Sequence, residues 1–279
     1  MTVKIVTDSV ADLTHRVINE LGITIVPLNV RLGNEVYRDG IDLTAEQFYD
    51  RLTHSKILPV TSVPSPGTFA EAYDKLAEET DEILAIIVSA KLSATYEVAL
   101  QSIGLMKQKC RVEVIDSQFG AAAEGLVVIT AAKAARAGAS LDEVIDVTRK
   151  AISRVDMRAV FDTMEYLKRG GRIGRAQAFL GSILNVNPII TLKGGVVEPV
   201  GRTRSRDKAI DYLYDFAMSY SHIEEMTVED AACPEDADLL VERLGSGFPK
   251  ERIYRSRTTP VIGTHTGPGL LLVAVLGDK

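Results

Sequence analysis

The sequence predicts an α/β protein: an N-terminal three-layer α/β domain with a parallel sheet, followed by a C-terminal α+β domain with a mixed sheet. Two observations support this prediction. In the first half, apolar runs of strand length alternate with stretches whose apolar residues recur at helical spacing. In the second half, a glycine-centred hairpin pattern is mixed with helices. We place the boundary near Val155, which gives domains of residues 1–155 and 156–279.

The elements of the first domain carry local signals of their own. Thr44 with Gln47 and Ser140 with Glu143 form capping boxes that open two helices. Residues 83–88 form a continuous apolar run, which is typical of a central parallel strand buried on both faces. The predicted strands cover residues 3–7, 23–28, 83–88 and 112–115, and the predicted helices cover residues 13–21, 44–52, 65–76, 93–106, 121–137 and 141–155.

The second domain has a different pattern. Lys193-Gly194-Gly195 separates two apolar runs and predicts a hairpin turn. The chain is predicted to end with two short strands on either side of His265-Thr266-Gly267-Pro268-Gly269. The other predicted elements are a strand over residues 157–162, the hairpin strands over 188–192 and 196–200, and helices over 207–220 and 234–244.

Composition excludes several classes of protein. The chain has 279 residues and a formal net charge of −6, so a nucleic acid is a poor candidate partner. Cys110 and Cys233 form no ligand or disulfide pattern, and we expect no metal site and a reducing, cytoplasmic location. No apolar run approaches the roughly 18 residues of a membrane span. A strand predicted from residue 3 leaves no room for a signal peptide.

Common catalytic signatures, such as a Walker loop, GxSxG or HExxH, are absent from the sequence.

Hydroxyl groups recur where strands end or helices begin. In open α/β sheets, ligands bind beyond the carboxyl ends of the strands. Thr61 and Ser93 together would form a donor-rich pocket suited to a carboxylate or phosphate oxygen. Helix capping is the alternative role for each hydroxyl. The polar residues concerned are Asp8-Ser9, Thr61-Ser62, Ser89, Ser93 and Asp116-Ser117.

Three further groups of residues each have more than one interpretation. His265, on a glycine-proline turn, either contacts a ligand or makes one structural hydrogen bond. Asp8, Asp116 and Asp162 follow predicted strands, and we interpret them as caps rather than as metal ligands or bases. A basic cluster is either a binding patch for phosphate or an acidic partner, or a solvated face. It comprises Lys168, Arg169, Arg172, Arg175, Arg202, Arg204, Arg206 and Lys208.

Six segments together resemble one protein family. The sequence is similar to the DegV family of bacterial fatty-acid-binding proteins, with the matches in the family's order over almost the whole chain. Some positions depart from the family pattern: Ala94 replaces a glycine, Ala90 a serine and Glu124 an apolar residue, and residues 229–233 lack a histidine. The segments are Lys4-Ile5-Val6-Thr7-Asp8-Ser9, Thr61-Ser62-Val63-Pro64-Ser65-Pro66, Leu92-Ser93-Ala94-Thr95-Tyr96, Val114-Ile115-Asp116-Ser117, Leu167-Lys168-Arg169-Gly170-Gly171-Arg172-Ile173 and Ile262-Gly263-Thr264-His265-Thr266-Gly267-Pro268-Gly269.

The resemblance implies a buried long-chain fatty acid and no cofactor. By residue matching, Thr61 and Ser93 would hold its carboxylate, with Ser62 and Ala94 beside them and His265 nearby. Characterised members serve as the binding subunit of a fatty acid kinase. A separate dihydroxyacetone-kinase-like protein phosphorylates the carboxylate with ATP, and an acyltransferase of phospholipid synthesis consumes the acyl phosphate.

Three expectations follow for this chain. We expect a carrier with no catalytic residues of its own. We expect Arg169, Arg172 and Arg202 to lie outside the apolar pocket and to dock the kinase. Two alternatives remain open: an acyl hydrolase or transferase that uses Ser93 and His265, and a dihydroxyacetone-kinase-related binder of a small polar ligand.

Overall fold

The chain forms three β-sheets in a computed structural model that describes residues 2–55, 57–179 and 186–279. The helices are α1 His15–Leu21, α2 Ala45–His54, α3 Pro66–Ala77, α4 Thr95–Ile103, α5 Ala121–Arg136, α6 Leu141–Arg154, α7 Glu165–Arg169, α8 Arg206–Met218, α9 Pro234–Leu244 and α10 Pro260–Thr266. The strands are β1 Lys4–Asp8, β2 Thr24–Val26, β3 Asn29–Leu32, β4 Glu35–Arg38, β5 Val60–Ser62, β6 Glu82–Ile87, β7 Arg111–Asp116, β8 Val155–Val160, β9 Asn187–Lys193, β10 Val196–Thr203, β11 His222–Asp230, β12 Ile253–Arg257 and β13 Leu271–Asp278.

The first sheet is parallel, with strand order β2-β1-β6-β7. β6 is central and is buried from Ile83 onward, as the apolar run predicted. Both predicted capping boxes are present, at the starts of α2 and α6. The predicted parallel α/β arrangement of the first half is therefore confirmed.

A small antiparallel sheet of order β4-β3-β5 was not predicted. In its register Thr61 of β5 lies opposite Val30 of β3. Because side chains alternate along a strand, Thr61 and its neighbour Ser62 point to opposite faces of this sheet. The register of this small sheet therefore determines which of the two hydroxyls can face the interior of the protein.

The third sheet is mixed, as predicted, with order β10-β9-β8-β13-β11-β12. All its pairings are antiparallel except that of β11 with β12. Alternate residues of β13 belong to different cores. Leu271 and Val273 pack into the core that contains α8 and α9, whereas Leu272 and Ala274 pack into the core shared with the parallel sheet. Both faces of the sheet are therefore buried.

The C-terminal elements differ from the prediction. The segment before Gly267 forms α10 rather than a strand, with Thr259 at its N-cap and Pro260 as its first residue. The strands β11 and β12 were also missed. The proposed domain boundary coincides with the junction of α6 and β8 at Val155, and the independence of the two domains stays a prediction. Within the described residues, no helix is long and apolar enough to span a membrane.

Glu124 lies in the interior of the buried helix α5 and is fully buried. The Thr7 hydroxyl donates to Glu124 Oε1 at 3.3 Å, and Oε2 has no hydrogen-bond partner among the described residues. Burial, with a smaller contribution from the charge of Asp8, raises the pKa of Glu124 well above its ordinary 4.5. The carboxyl group therefore retains a proton that it loses on unfolding.

Glu124→Gln is expected to flatten the dependence of stability on pH. Since the pKa is raised in the folded chain, the free energy of unfolding falls as pH rises from 4.5 through the raised value. A neutral amide removes this contribution, so the variant is expected to be more stable than the wild type at about pH 9. Urea unfolding between about pH 5 and pH 9 measures the effect. The exposed control Glu71→Gln should follow the wild type, and a wild-type profile in Glu124→Gln would contradict the prediction.

Candidate functional site

A cavity lies between the carboxyl ends of the parallel strands and one face of the mixed sheet. Its empty volume is about 790 Å³, with the open space at its mouth included. The lining is apolar over most of its surface. The apolar side chains are Val10, Leu28, Val88, Leu92, Ala121, Met157, Ala159, Phe161, Leu167, Ile190, Leu192, Val197, Val261, Ile262, Leu270 and Leu272.

The polar side chains of the lining are Thr61, Ser93, Arg172, His265 and Thr266. Thr61 comes from β5 and His265 from the last turn of α10, and Thr61 Oγ1 lies 2.9 Å from His265 Nε2. The structure thus brings three of the five residues predicted to bind a carboxylate, Thr61, Ser93 and His265, to one cavity. Ser62 and Ala94 are not part of its described lining.

Ser93 lies two residues before helix α4. Its Oγ lies 2.8 Å from Thr95 Oγ1 and accepts a hydrogen bond from Thr95 N at 3.3 Å. The N-cap of the helix is Ala94, which has no capping side chain, so Ser93 supplies the side-chain contact to the first turn. Ser93 also lines the cavity, and its hydroxyl can donate to a ligand when Thr95 Oγ1 is the donor in their mutual hydrogen bond. Capping and ligand contact are therefore compatible for Ser93.

His265 is neutral near pH 7, because burial and then the charge of Arg172 lower the pKa of its imidazole to about 4. Its Nδ1 is buried and has no hydrogen-bond partner among the described residues. A proton on Nδ1 would be a buried donor without an acceptor, whereas a proton on Nε2 can donate to Thr61 Oγ1. We infer the Nε2–H tautomer, which leaves the Thr61 hydroxyl free to donate to a ligand.

The prediction that Arg172 lies outside the pocket is wrong. Arg172 lines the cavity, with its Nε donating to Leu92 O at 3.0 Å and its Nη1 to Gly170 O at 2.6 Å. The reversal of the chain after α7 brings it there, because Gly171 has φ of +70° and Arg172 N bonds back to Leu167 O. The guanidinium remains exposed to solvent at the mouth.

Arg169 and Arg202 are exposed and do not belong to the described lining. Arg169 Nε lies 2.8 Å from Glu165 Oε1, and the Arg202 guanidinium lies 4.4 Å from the centre of the Phe179 ring. Several other members of the basic cluster are paired with carboxylates, which weakens the cluster as a single positive patch. These pairs are Lys168–Glu165, Arg175–Glu198, Arg206–Asp236 and Lys208–Asp211.

The aspartates that follow strands have mostly structural roles. Asp8 caps the short 3₁₀ turn after β1 and accepts hydrogen bonds from Val10 N and Val88 N, so the capping prediction is confirmed there. Asp116 accepts from Gln118 N in the turn after β7. Asp162 instead contacts Asn187 Nδ2 at 3.3 Å and lies 3.5 Å from Arg206, so its predicted capping role is wrong.

Comparison with known proteins identifies the family. The family model described as "Uncharacterised protein, DegV family" matches residues 2–278. This chain belongs to the DegV family. A DegV domain-containing protein of Streptomyces coelicolor is 38% identical over 278 residues, which is 98% of each chain. One from Caldanaerobacter subterraneus is 35% identical over 270 residues, 95% of each chain.

Solved DegV structures have the same fold over the full length. A fatty-acid-binding DegV family protein from Thermus thermophilus superposes with a TM-score of 0.91 at 33% identity, covering 99% of this chain and all of that one. DegV of Bacillus subtilis, a fatty acid binding protein, superposes with a TM-score of 0.90 at 30% identity and full coverage of both chains. The predicted family and fold class are therefore confirmed.

One site feature of this DegV chain was missed by the sequence analysis. Gly170 packs against the imidazole of His265, and a Cβ at this position would overlap His265 Nδ1. The only signal in the sequence was the Gly170-Gly171 pair, which we interpreted as part of a basic loop. The glycine at position 170 is required by the close approach of the ring.

Gly170→Ala is expected to displace the His265 ring and break its hydrogen bond to Thr61. Overpacking of this kind costs about 1–3 kcal/mol of stability. Thermal unfolding and the imidazole ¹⁵N shifts of His265 measure the two effects. The control Gly201→Ala has open space around its Cβ and no positive φ. Unchanged His265 shifts in Gly170→Ala would show that the contact does not position the ring.

Proposed function

We propose that this chain binds a long-chain fatty acid in the cavity, with the acyl chain among the apolar residues and the carboxylate at Thr61, Ser93 and His265. The observation that carries the proposal is a cavity lined mostly by apolar side chains, whose few polar side chains include Ser93 and the Thr61–His265 pair, 2.9 Å apart. Binding of fatty acids by the related proteins of T. thermophilus and B. subtilis supports it.

The apolar lining can supply most of the binding free energy. Burial of hydrocarbon contributes about 0.8 kcal/mol per methylene, so roughly fourteen methylenes give on the order of 11 kcal/mol of gross driving force. The head group then needs only to be desolvated without an unsatisfied charge and held in one position. Hydroxyl donors suffice for this purpose.

The polar side chains of the lining suit an ionised carboxylate. With Nε2–H of His265 directed at Thr61 Oγ1, the Thr61 hydroxyl donates toward the ligand, and Ser93 supplies a second hydroxyl. Arg172 adds positive charge at the mouth, but two of its donors are engaged by backbone carbonyls and solvent screens it. The carboxylate is thus oriented by neutral donors and stays accessible.

We further propose that the chain acts as a carrier in the cytoplasm rather than as an enzyme. A separate, dihydroxyacetone-kinase-like fatty acid kinase would phosphorylate the presented carboxylate, and an acyltransferase would use the acyl phosphate for phospholipid synthesis. The contacts do not favour a Ser93–His265 hydrolase, because His265 Nε2 pairs with Thr61 and its Nδ1 faces Gly170 without an orienting acid among the described residues. The apolar lining does not favour a small polar ligand.

Purified protein is expected to carry about one equivalent of fatty acid from its expression host, detected by mass spectrometry of an organic extract. Thr61→Ala and Ser93→Ala each remove a hydrogen bond to a charged group, so delipidated variants should bind palmitate about 10- to 100-fold more weakly. Thr53→Ala and Ser153→Ala, which alter exposed hydroxyls away from the cavity, are matched controls.

Two results would count against fatty acid binding. One is an extract without acyl ligand combined with no thermal shift on addition of palmitate or oleate. The other is wild-type affinity in both site variants with only reduced thermal stability, which would leave Ser93 as a cap.

Arg202→Ala and Arg169→Ala are expected to leave palmitate affinity unchanged and to slow acyl phosphate formation by the partner kinase. Both side chains lie outside the cavity, and docking through exposed charges weakens as salt rises. Kinase turnover against carrier concentration at low and high salt measures the effect. Arg16→Ala, another exposed arginine, is the control. Unchanged turnover without salt dependence would identify the cluster as a solvated face.

A further inference from the structure

Among the described residues, six carboxyl groups are buried, each on a residue no more than 3% exposed. Among the described residues, only Asp230 forms an ion pair with a cation, the guanidinium of Arg255. An ionised carboxylate buried without a cation is strongly unfavourable. The six residues are Asp8, Asp12, Asp39, Glu124, Glu229 and Asp230.

Two of these carboxyl groups, those of Asp12 and Glu229, are neighbours, because each accepts a hydrogen bond from one of two consecutive residues. Consecutive residues donate to them: Thr259 N to Asp12 Oδ1 at 3.1 Å and the Thr258 hydroxyl to Glu229 Oε1 at 2.6 Å. Asp12 Oδ2 is buried and has no donor among the described residues. A proton between the two carboxyl groups satisfies this oxygen.

The donors favour charge on Glu229 and the proton on Asp12. Glu229 accepts from Ala122 N and from Thr258 Oγ1, whereas Asp12 accepts, among the described residues, from Thr259 N alone. Burial, and then the charge of Glu229, raises the pKa of Asp12 well above its ordinary 3.8. Burial also raises the pKa of Glu229. Two such groups in contact share one proton when neither has a cation.

Among the described residues, neither Asp12 nor Glu229 forms an ion pair, whereas Arg255 pairs with Asp230. Asp39 adds negative charge near Asp12, and Asp230 does so beside Glu229. The hydroxyl of Tyr49 on α2 is buried with its proton, and Arg255 of β12 is paired with Asp230 and Asp238. Other ionisable groups on the neighbouring elements include Asp8 before the 3₁₀ turn, Glu124 on α5, Arg257 at the end of β12 and His265 near the far end of α10.

The pair connects three elements that line the cavity. Glu229 Oε2 accepts from Ala122 N at 2.6 Å and so holds the first turn of α5, whose Ala121 lines the cavity. Asp12 follows the turn that carries Val10 and holds Thr259 N at the start of α10. His265 stands at the other end of that seven-residue helix. The pair is therefore linked through α5 and α10 to two residues that line the cavity, Ala121 and His265.

We propose that Asp12 and Glu229 share one proton that fastens α5 and α10 around the cavity, and that loss of this proton at alkaline pH loosens ligand binding. The hydrogen bond between the carboxyl groups of Asp12 and Glu229 is intact while the proton is bound. As pH rises and the proton leaves, two adjacent carboxylates repel each other, and the start of α10 separates from Asp12. Retention of the ligand thereby depends on pH although neither carboxyl group touches it.

Binding of cis-parinaric acid, a fluorescent fatty acid that stays ionised over this range, tests the proposal between about pH 7 and pH 9.5. The wild-type affinity is expected to fall at least tenfold. Asp12→Asn, whose amide donates permanently to Glu229 and whose carbonyl still accepts from Thr259 N, should change less than twofold. Asn also tolerates the φ of 47° at this position. The control Glu124→Gln should follow the wild type.

Hydrogen exchange supplies a second measurement that needs no variant. Protection factors of the amides of Thr259 and Val261, corrected for base catalysis, are expected to fall in the wild type over the same pH range. Constant protection and affinity in the wild type, or an equal pH slope in Asp12→Asn, would overturn the proposal. The fluorescence measurement rests on the proposed function, because it requires that the chain binds a fatty acid. The hydrogen-exchange measurement does not require this. Absence of cis-parinarate binding at pH 7 would therefore refute fatty acid binding while exchange still decides the role of the pair.

Discussion

A mixed sheet with two apolar faces is the constraint on which the rest of the structure depends. Side chains alternate along β13, so Leu271 must be covered on one face and Leu272 on the other. Helices α8 and α9 cover the first face. On the second face α5 covers only part of the apolar surface, and the remainder faces the ends of the parallel strands across the cavity. The apolar lining is thus a consequence of the same alternation that builds the core.

Much of the fold could be predicted because its signals are local. The buried run of β6, the capping boxes of α2 and α6 and the hairpin turn at Gly194-Gly195, where both φ angles are positive, depend on neighbouring residues alone. Several of the missed elements are too short to carry such signals. The strands β3 and β4 have four residues each, and α10 has seven, too few to separate a period of two from a period of 3.6.

The site was predictable in its chemistry and less so in its geometry. Thr61 and Ser93 were found because hydroxyls at strand ends and helix starts are visible in the sequence. His265 was found because the segment around it, residues 262–269, resembles one of the DegV family. Their convergence depends on contacts between residues far apart in the chain, such as the 2.9 Å contact of Thr61 with His265. The choice of Thr61 over Ser62 depends on the register of β5, and the position of Arg172 depends on the reversal at Gly171. The sequence pattern does not carry that information.

The buried carboxyl groups also change how the charge of the chain is to be counted. The formal value of −6 treats every aspartate and glutamate as ionised. Glu124 keeps its proton when folded, and burial raises the pKa of Asp8 to about 7. Each proton retained makes the folded chain one unit less negative and moves its isoelectric point above the 5.4 given by composition. Unfolding returns these groups to water, where they ionise, so the folded chain is a weaker acid than the same residues in an open chain.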